Sequence, residues 1–320
     1  MARGALLAAL LALSPAPAPA SDAAAPYLGE RMPYAAFERL EATRLAVPGG
    51  EIAVAFAAGA LALPRARILA WVRSSADAVA TYYGRFPASF TRLLIVPRAG
   101  RGVSGGKAWA HFGAAVRITL GEDATEADLA RDWVLVHEMT HLAFPSVPQR
   151  HYWIEEGIAT YVEGVARAQA GQLAPEAVWA DLAAGLPKGL PQAADRGLDH
   201  TPTWGRTYWG GALFCLLADL EIRRRTANRR GLQDALRAIL AGGNMETHSA
   251  LEPVLARGDR AVGVPVLAEL YREMRDKPVA ADLAEIWRRL GVQPGARSVR
   301  FDEAAPEAAI RRAITARPAE

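Results

Sequence analysis

The apolar positions in the first third of the chain follow the spacings of a small sheet with one long helix. Runs with strand character occur at 40–47, 51–57, 93–96 and 116–120. Three- and four-residue steps between Pro64 and residue 85 predict a helix, and a proline suits its first turn. A glycine-rich segment at 100–106 separates the last two strands, and residues 27–39 form an irregular or helical lead-in.

The rest of the chain has the three- to four-residue periodicity of helices. One helix is predicted over 124–144, where Pro145 stops it, and a second over 152–169. The segment 185–202 is rich in Gly, Pro and Asp and predicts a loop. Further helices are predicted at 204–226, 231–241, 246–256, 263–275 and 280–290, followed by a short strand at 298–301 and a helix at 308–315. The predicted fold class is therefore α+β, with a small N-terminal β-sheet, helices packed on it and a mainly α-helical C-terminal part.

The composition indicates a folded protein but does not indicate its function. Hydrophobic residues make up 51% of the 320 positions and charged residues 22%, which is typical of a folded chain and not of a disordered one. The net charge is only +3, and the basic residues are scattered apart from two short arginine runs at 223–225 and 229–230. These features argue against nucleic acid as a partner. The sequence leaves the oligomeric state open.

Residues 1–20 have the order of regions found in a secretory signal peptide. A short positive start is followed by about ten apolar residues and a Pro/Ala-rich stretch that ends at Ala20. The alternatives are a disordered tail or an uncleaved anchor, and no later segment is long and apolar enough to span a membrane. Cys215 is the only cysteine, so an intramolecular disulfide is excluded. We expect a periplasmic or secreted bacterial protein.

The segment 137–141 places two histidines around a glutamate at helical spacing. His137 and His141 are four residues apart, so both imidazoles lie on one face of the predicted helix and can bind one Zn²⁺. Glu138 beside them can take a proton from a metal-bound water without being a ligand. The alternative is a helix with two surface or core histidines. Apolar residues on both sides predict a buried helix, in which a metal satisfies the polar groups.

A third ligand is expected from the next predicted helix. Glu155 and Glu156 lie near the start of that helix, just after Trp153. Either carboxylate completes a site of two histidines and one glutamate with water in the fourth position, which is the ligand set of many catalytic zinc sites.

The two linked motifs at 137–141 and 153–161 resemble those of the gluzincin zinc metallopeptidases. The sequence is most similar to the peptidase MA-like domain family and, more distantly, to alanyl-aminopeptidase-type enzymes. In that pattern W-L-x-E-G-x-A-x-Y follows the H-E-x-x-H helix, and this chain has WIEEGIATY at 153–161. The resemblance implies Glu156 as the third ligand and Zn²⁺ as the cofactor. The gap between His141 and Glu156 is shorter than in the aminopeptidases and suits the peptidase MA-like family.

The resemblance also implies a division of the chain and a further site residue. Residues 21–170 are expected to form a zincin-like core that includes the metal helix, and residues 171–320 a helical part that completes the active-site cleft. Aminopeptidases carry Y-x-K-G before a later helix, and Tyr208 matches the tyrosine that donates to the developing oxyanion, although Gly210 replaces the lysine. The alternative role of Tyr208 is packing against neighbouring tryptophans.

Glu163 and His151 each have two interpretations, one as part of the site and one without a role in it. Glu163 is seven residues after Glu156, so it either orients a zinc-bound histidine or is a solvated helix residue. His151 either faces the cleft or lies on the surface. In gluzincins the strand ahead of the metal helix runs beside the substrate, so the segment 105–120 is expected to offer main-chain hydrogen bonds to a peptide.

These motifs favour a secreted or periplasmic zinc metallopeptidase that hydrolyses peptide or protein substrates. The resemblance does not extend to the aminopeptidase G-x-M-E-N signature, so the cleavage mode stays open. Two other hypotheses remain: a catalytically idle protein that uses the fold for binding or envelope organisation, and a metal hydrolase that acts on a non-peptide amide or ester. The presence of Glu138 argues against the idle protein.

Overall fold

A five-stranded mixed sheet forms the N-terminal part of the computed structural model, which describes residues 27, 29–295 and 298–318. The predicted signal segment 1–20 lies outside the described residues. The strands are β1 (Ala42–Val47), β2 (Gly50–Phe56), β3 (Phe90–Arg98), β4 (Val103–Trp109) and β5 (Ala115–Gly121). Their order is β1-β2-β3-β5-β4, with β2, β3 and β5 parallel and the two outer strands antiparallel to their neighbours.

Helices account for most of the chain after the sheet, as the sequence predicts, and the α+β fold class is confirmed. They are α1 (Tyr34–Phe37), α2 (Arg65–Tyr83), α3 (Glu126–Arg131), α4 (Val134–His141), α5 (Tyr152–Gln169), α6 (Pro175–Gly185), α7 (Gly211–Arg225), α8 (Leu232–Gly242), α9 (Leu251–Val262), α10 (Val266–Met274), α11 (Leu283–Leu290) and α12 (Ala308–Thr315). A small antiparallel pair, β6 (Val292–Pro294) and β7 (Val299–Phe301), precedes α12.

The sheet is covered on both faces, because successive strand residues point to opposite sides. In β2, Ile52 and Val54 belong to the main buried cluster, which extends from β1 to α12. Ala53 and Ala55 belong to a smaller cluster on the other face, with Met32 and residues of α1. Across the described residues, none of the helices is both long enough and apolar enough to cross a membrane. The division at residue 170 stays a prediction.

Strand β4 occupies the segment that the sequence analysis treats as a glycine-rich connection. It pairs antiparallel with β5, with an irregularity between Val103 and Gly105. The propensity of the segment is low because Gly105 and Gly106 lie in its middle, so its strand conformation depends on the ladder with β5. β4 is an edge strand of this sheet.

The predicted single helix over 124–144 is wrong, because the chain breaks between α3 and α4. Asp132 adopts an extended conformation, with φ −63° and ψ 136°. Its carboxylate accepts hydrogen bonds from the backbone N–H groups of Val134 (3.0 Å) and Leu135 (3.1 Å). The aspartate therefore caps a new helix, which gives α4 its own start immediately before the histidines.

Two other helices depart from the sequence prediction. The sequence does not predict α6, and α9 begins at Leu251 instead of residue 246. The start of α9 is displaced because the segment before it bonds to the loop after α4. The N–H of Ser146 donates to the carbonyl of Thr247 (2.9 Å), and the N–H of Ser249 donates to that of Ser146 (3.0 Å).

Candidate metal centre

Helix α4 presents His137 and His141 one turn apart on one face, with their ring centroids 4.8 Å apart and their planes at 84°. His137 is 4% exposed and His141 is nearly as buried. The apolar neighbours Leu135, Val136 and Met139 face the core, so the helix is packed into the molecule as the sequence predicts. Two buried imidazoles side by side need a shared partner.

Glu156 of α5 supplies that partner from the facing helix. Its Oε2 atom lies 3.1 Å from Nε2 of His137 and 3.6 Å from Nε2 of His141. The candidate ligand atoms of the three residues all lie within 4.8 Å of one another. Glu155, the alternative that the sequence leaves open, points away and accepts a hydrogen bond from the N–H of Val147 (3.0 Å).

The packing of α5 explains why a glycine follows Glu156. A Cβ atom on Gly157 would lie 2.4 Å from the Cα of Gly211 at the start of α7. Helices α5 and α7 therefore approach closely at this point, and a side chain would push α5 away from α7. The glycine in the motif sets the position from which Glu156 reaches α4.

The three side chains are electrostatically coupled. Burial lowers the pKa of His137. It acts in the same direction on His141, but the carboxylates of Glu156 and Glu138 override it and raise the pKa of His141 to about 9. Burial raises the pKa of Glu156, yet the two histidines lower it well below its usual range. The Glu156 carboxylate is thus ionised between two imidazoles, and this arrangement favours the binding of a cation.

The residues present fit a zinc ion on three counts. Two nitrogens and one carboxylate oxygen form a donor set that zinc prefers, and all three side chains are nearly inaccessible to solvent. Nε2 of His137 is the ring nitrogen that faces Glu156, whereas its Nδ1 is buried and has no hydrogen-bond partner among the described residues. The three candidate atoms converge on one point between α4 and α5.

Glu138 lies next to this point, on the side of the edge strand. It is 9% exposed and burial raises its pKa to about 7, against the opposing effect of His141. A Cβ atom on Gly106 of β4 would lie 2.5 Å from Cγ of Glu138 and 2.9 Å from a methyl group of Val134. Only a glycine at position 106 leaves room for this glutamate. The contact therefore explains why this segment of β4 contains a glycine there.

Tyr208 reaches the site from a π-helical turn, Gly205–Gly210, that leads into α7. Its ring stacks at 6.3 Å on His137, with an interplanar angle of 21°. Trp204 also stacks with Tyr208, at 6.0 Å between ring centroids, so Tyr208 has the aromatic contact of the alternative interpretation as well. Burial, followed by the charges of Glu156 and Glu138, raises the pKa of Tyr208 to about 12. The phenol therefore keeps its proton beside the site.

A cavity of about 560 Å³ opens beside His137. Its lining combines aromatic, apolar and charged side chains. The lining includes Trp133, Trp204, Tyr208, Trp209, Val178, Leu182, Glu163 and Arg167. Trp133 and Trp204 are more than half exposed, so they border an open mouth. The cavity has the size and the mixed polarity of a ligand-binding cleft.

Glu163 and His151 both lie in places that differ from those predicted by the sequence. Glu163 is buried and its carboxylate accepts a hydrogen bond from Arg167 (2.7 Å), so it is neither solvated nor bound to a histidine. His151 is fully buried, with Nδ1 3.0 Å from Asp199, and both cleft and surface locations are wrong. Tyr271 also donates to Asp199 (3.0 Å), which identifies a packing network.

Tyr152 lies at the centre itself, although no motif of the sequence indicates it. The hydroxyl of Tyr152 donates a hydrogen bond to Oε1 of Glu156. The signal was present, because the two residues are four apart on α5 and such pairs face the same side of a helix. The sequence shows Gly106 only as one residue of a glycine-rich run. Its contact with Glu138 depends on the packing of β4 against α4, which the sequence does not reveal.

Comparison with solved structures supports the fold. No protein-family model and no curated protein sequence matches the chain. A solved structure described as an aminopeptidase N family protein from Idiomarina loihiensis matches with a TM-score of 0.60 and 13% identity, over 79% of this chain and 49% of that one. A variant M1 zinc metallopeptidase from Deinococcus radiodurans, bound to a Tyr-Ser-Ala substrate, matches with a TM-score of 0.51 and 18% identity, over 76% and 54%.

The chain spans about half the length of these solved structures. At these identities the similarity concerns the fold, and it confirms the distant gluzincin-like aminopeptidase resemblance at that level. The chain has the α+β fold of the M1 zinc metallopeptidases.

Proposed function

We propose that this chain is a zinc-dependent peptidase. The observation that carries the proposal is the convergence of His137, His141 and Glu156 on one buried point, with Glu138 beside it. The fold shared with M1 zinc metallopeptidases supports the same reaction class. Peptides or proteins are the proposed substrates.

The proposed metal ligands are the Nε2 atoms of the two histidines and a carboxylate oxygen of Glu156. Bound there, a zinc ion supplies a Lewis acid that polarises a carbonyl and lowers the pKa of water. The role of the ligands is to fix that ion between α4 and α5, and the burial of all three side chains keeps competing water away.

Glu138 is the proposed general base and then the general acid. With a pKa near 7, its carboxylate takes a proton from the attacking water and delivers it to the amine that leaves. Its position against Gly106 restricts its rotation. Tyr208, protonated at neutral pH, donates a hydrogen bond to the oxyanion that develops on the substrate carbonyl.

The edge of β4 and the cavity beside His137 are proposed to hold the peptide. β4 has a neighbour on only one side of this sheet, and its main chain near Ala108 contacts Glu138. An extended peptide can pair with such an edge, which places its backbone along the catalytic glutamate. A side chain of the substrate then enters this cavity.

We also propose the periplasmic or secreted location that residues 1–20 predict. The support is the order of a positive start, an apolar stretch and an Ala-Pro-Ala end. N-terminal sequencing of the protein recovered from the periplasm and medium of an expressing bacterium tests it. A mature chain that begins after Ala20 supports the location, and an intact Met1 terminus in the cytoplasm contradicts it.

The function is tested by digesting proteome-derived peptides with the zinc-loaded protein and with the chelator-treated protein. The expected result is a set of new peptide termini that appears with zinc, disappears after chelation and returns when zinc is restored. The cleavage positions also distinguish trimming from internal cuts. A protein that binds one zinc ion but leaves every peptide intact contradicts the peptidase and favours a non-peptide substrate or a binding role.

A further inference from the structure

Tyr152 is an aromatic residue at the candidate centre that neither the motifs nor the proposed mechanism uses. It begins α5, one turn before Glu156, and the residue is 40% exposed. Its hydroxyl donates to Oε1 of Glu156, whereas Oε2 of the same carboxylate faces the two histidines at 3.1 and 3.6 Å. The two oxygens of Glu156 thus have different partners.

The hydrogen bond to Oε1 restricts the rotation of the Glu156 side chain. A glutamate side chain has three rotatable bonds, and holding it in one rotamer costs conformational entropy when a cation binds. A hydrogen bond from a phenol to a carboxylate is charge-assisted and strong. Within the described residues, Tyr152 is the side chain that bonds to Oε1, so it orders Glu156 before any cation arrives. It also leaves Oε2 free to face the histidines.

Tyr152 is the donor in this hydrogen bond, because a phenol with an ordinary pKa of about 10 is protonated at neutral pH. Tyr208, the other tyrosine of the site, stacks on His137, and its hydroxyl approaches that of Tyr152.

We propose that Tyr152 is a positioning residue that holds Glu156 with one oxygen directed at His137 and His141, and thereby raises the affinity of the site for zinc. The inference rests on the proposed function in so far as the site binds zinc. It assigns the two tyrosines different tasks, with Tyr152 acting through the ligand and Tyr208 acting on the substrate.

The test compares Tyr152→Phe with the matched control Tyr208→Phe in the full chain. Each removes one hydroxyl and keeps the ring. Zinc affinity is measured by competition with a chromophoric chelator, and kcat is measured at saturating zinc on a peptide that the wild type cleaves. Thermal unfolding of the zinc-free proteins checks that both variants keep the fold.

For Tyr152→Phe we expect zinc affinity to fall by about 10- to 100-fold, the usual effect of losing a group that orients a ligand, with kcat close to that of the wild type. For Tyr208→Phe we expect unchanged zinc affinity and a kcat that is lower by about 10²- to 10³-fold. Wild-type zinc affinity in Tyr152→Phe overturns the inference and leaves the peptidase proposal standing. If the wild type binds zinc but cleaves no peptide, only the peptidase proposal fails, since the affinity comparison needs no substrate.

Discussion

At the scale of single residues, burial raises the pKa of two glutamates on neighbouring helices, with different consequences. Glu138 and Glu163 each have a pKa raised to about 7, and burial is the largest cause in both. Glu138 faces the candidate metal centre, where a carboxyl group that titrates near neutrality suits proton transfer. Glu163 is paired with Arg167 in the wall of the cavity, so its raised pKa affects stability.

Glu163→Gln is predicted to flatten the pH dependence of stability. The folded-state pKa of Glu163 is raised from 4.5 to about 7, so between these values the folded protein holds a proton that the unfolded chain lacks. The stabilising contribution is complete below pH 4.5 and is lost as the pH rises through 7. Urea unfolding of the zinc-free wild type and variant from pH 4.5 to 8 should diverge by roughly 2–3 kcal/mol.

The exposed Glu176→Gln, on helix α6, is the control for that comparison and should follow the wild type. Parallel curves for wild type and Glu163→Gln would show that the Glu163–Arg167 pair is ionised in the folded protein throughout this range.

At the scale of elements, the contact between β4 and α4 fixes the position of Glu138, the proposed general base. The strand is an edge strand, and its backbone runs so close to α4 that Gly106 has no room for a Cβ atom. Gly105, its neighbour, has no atom within 4 Å of the position where a Cβ would lie. Two adjacent glycines of one strand thus differ in the space available to them.

Gly106→Ala is predicted to lower activity strongly, whereas Gly105→Ala is predicted to leave it near the wild-type value. The new methyl group at residue 106 overlaps Glu138 and Val134, so strand and helix must separate. We expect a loss of about 1–3 kcal/mol in unfolding free energy and, because Glu138 is displaced, about a 10²-fold lower kcat. Steady-state kinetics and thermal unfolding measure both. Equal activities of the two variants would contradict the proposed placement of Glu138.

The elements that could be predicted from sequence are those whose signals are local. The histidine pair and the helix of Glu156 follow from periodicity within about twenty residues, and the structure brings the three side chains together. Strand β4 could not be found this way, because its pairing with β5 offsets the low propensity of its glycines. His151 likewise depends on Asp199, which lies 48 residues further along the chain.

At the scale of the whole molecule, the candidate centre joins segments that are distant in sequence. Two ligands come from α4, the third comes from α5, and Tyr208 comes from the turn before α7. A zinc ion bound between α4 and α5 therefore connects the helix beside the sheet to the helices that follow. Because the unfolded chain cannot form this site, zinc binding is coupled to the stability of the fold.

Zinc is predicted to raise the thermal stability of the protein through its ligands. At a free zinc concentration about 100 times the Kd, the native state gains about 2.7 kcal/mol relative to the unfolded state. Differential scanning calorimetry should show a higher Tm with zinc for the wild type and no zinc-dependent shift for His141→Ala. His200→Ala is the control, because His200 is exposed and paired with Asp276 (2.8 Å). A zinc-dependent shift that survives in His141→Ala would place the ion elsewhere.

The proposed peptidase activity depends on a buried zinc site with Glu138 as its base. The most direct measurement compares Glu138→Gln with the wild type, recording zinc content and peptide cleavage on the same samples. We predict one zinc ion per chain in both proteins and a cleavage rate about 10²- to 10⁴-fold lower in the variant, because Gln cannot accept the proton. Cleavage by Glu138→Gln at the wild-type rate, with zinc bound, would contradict the account.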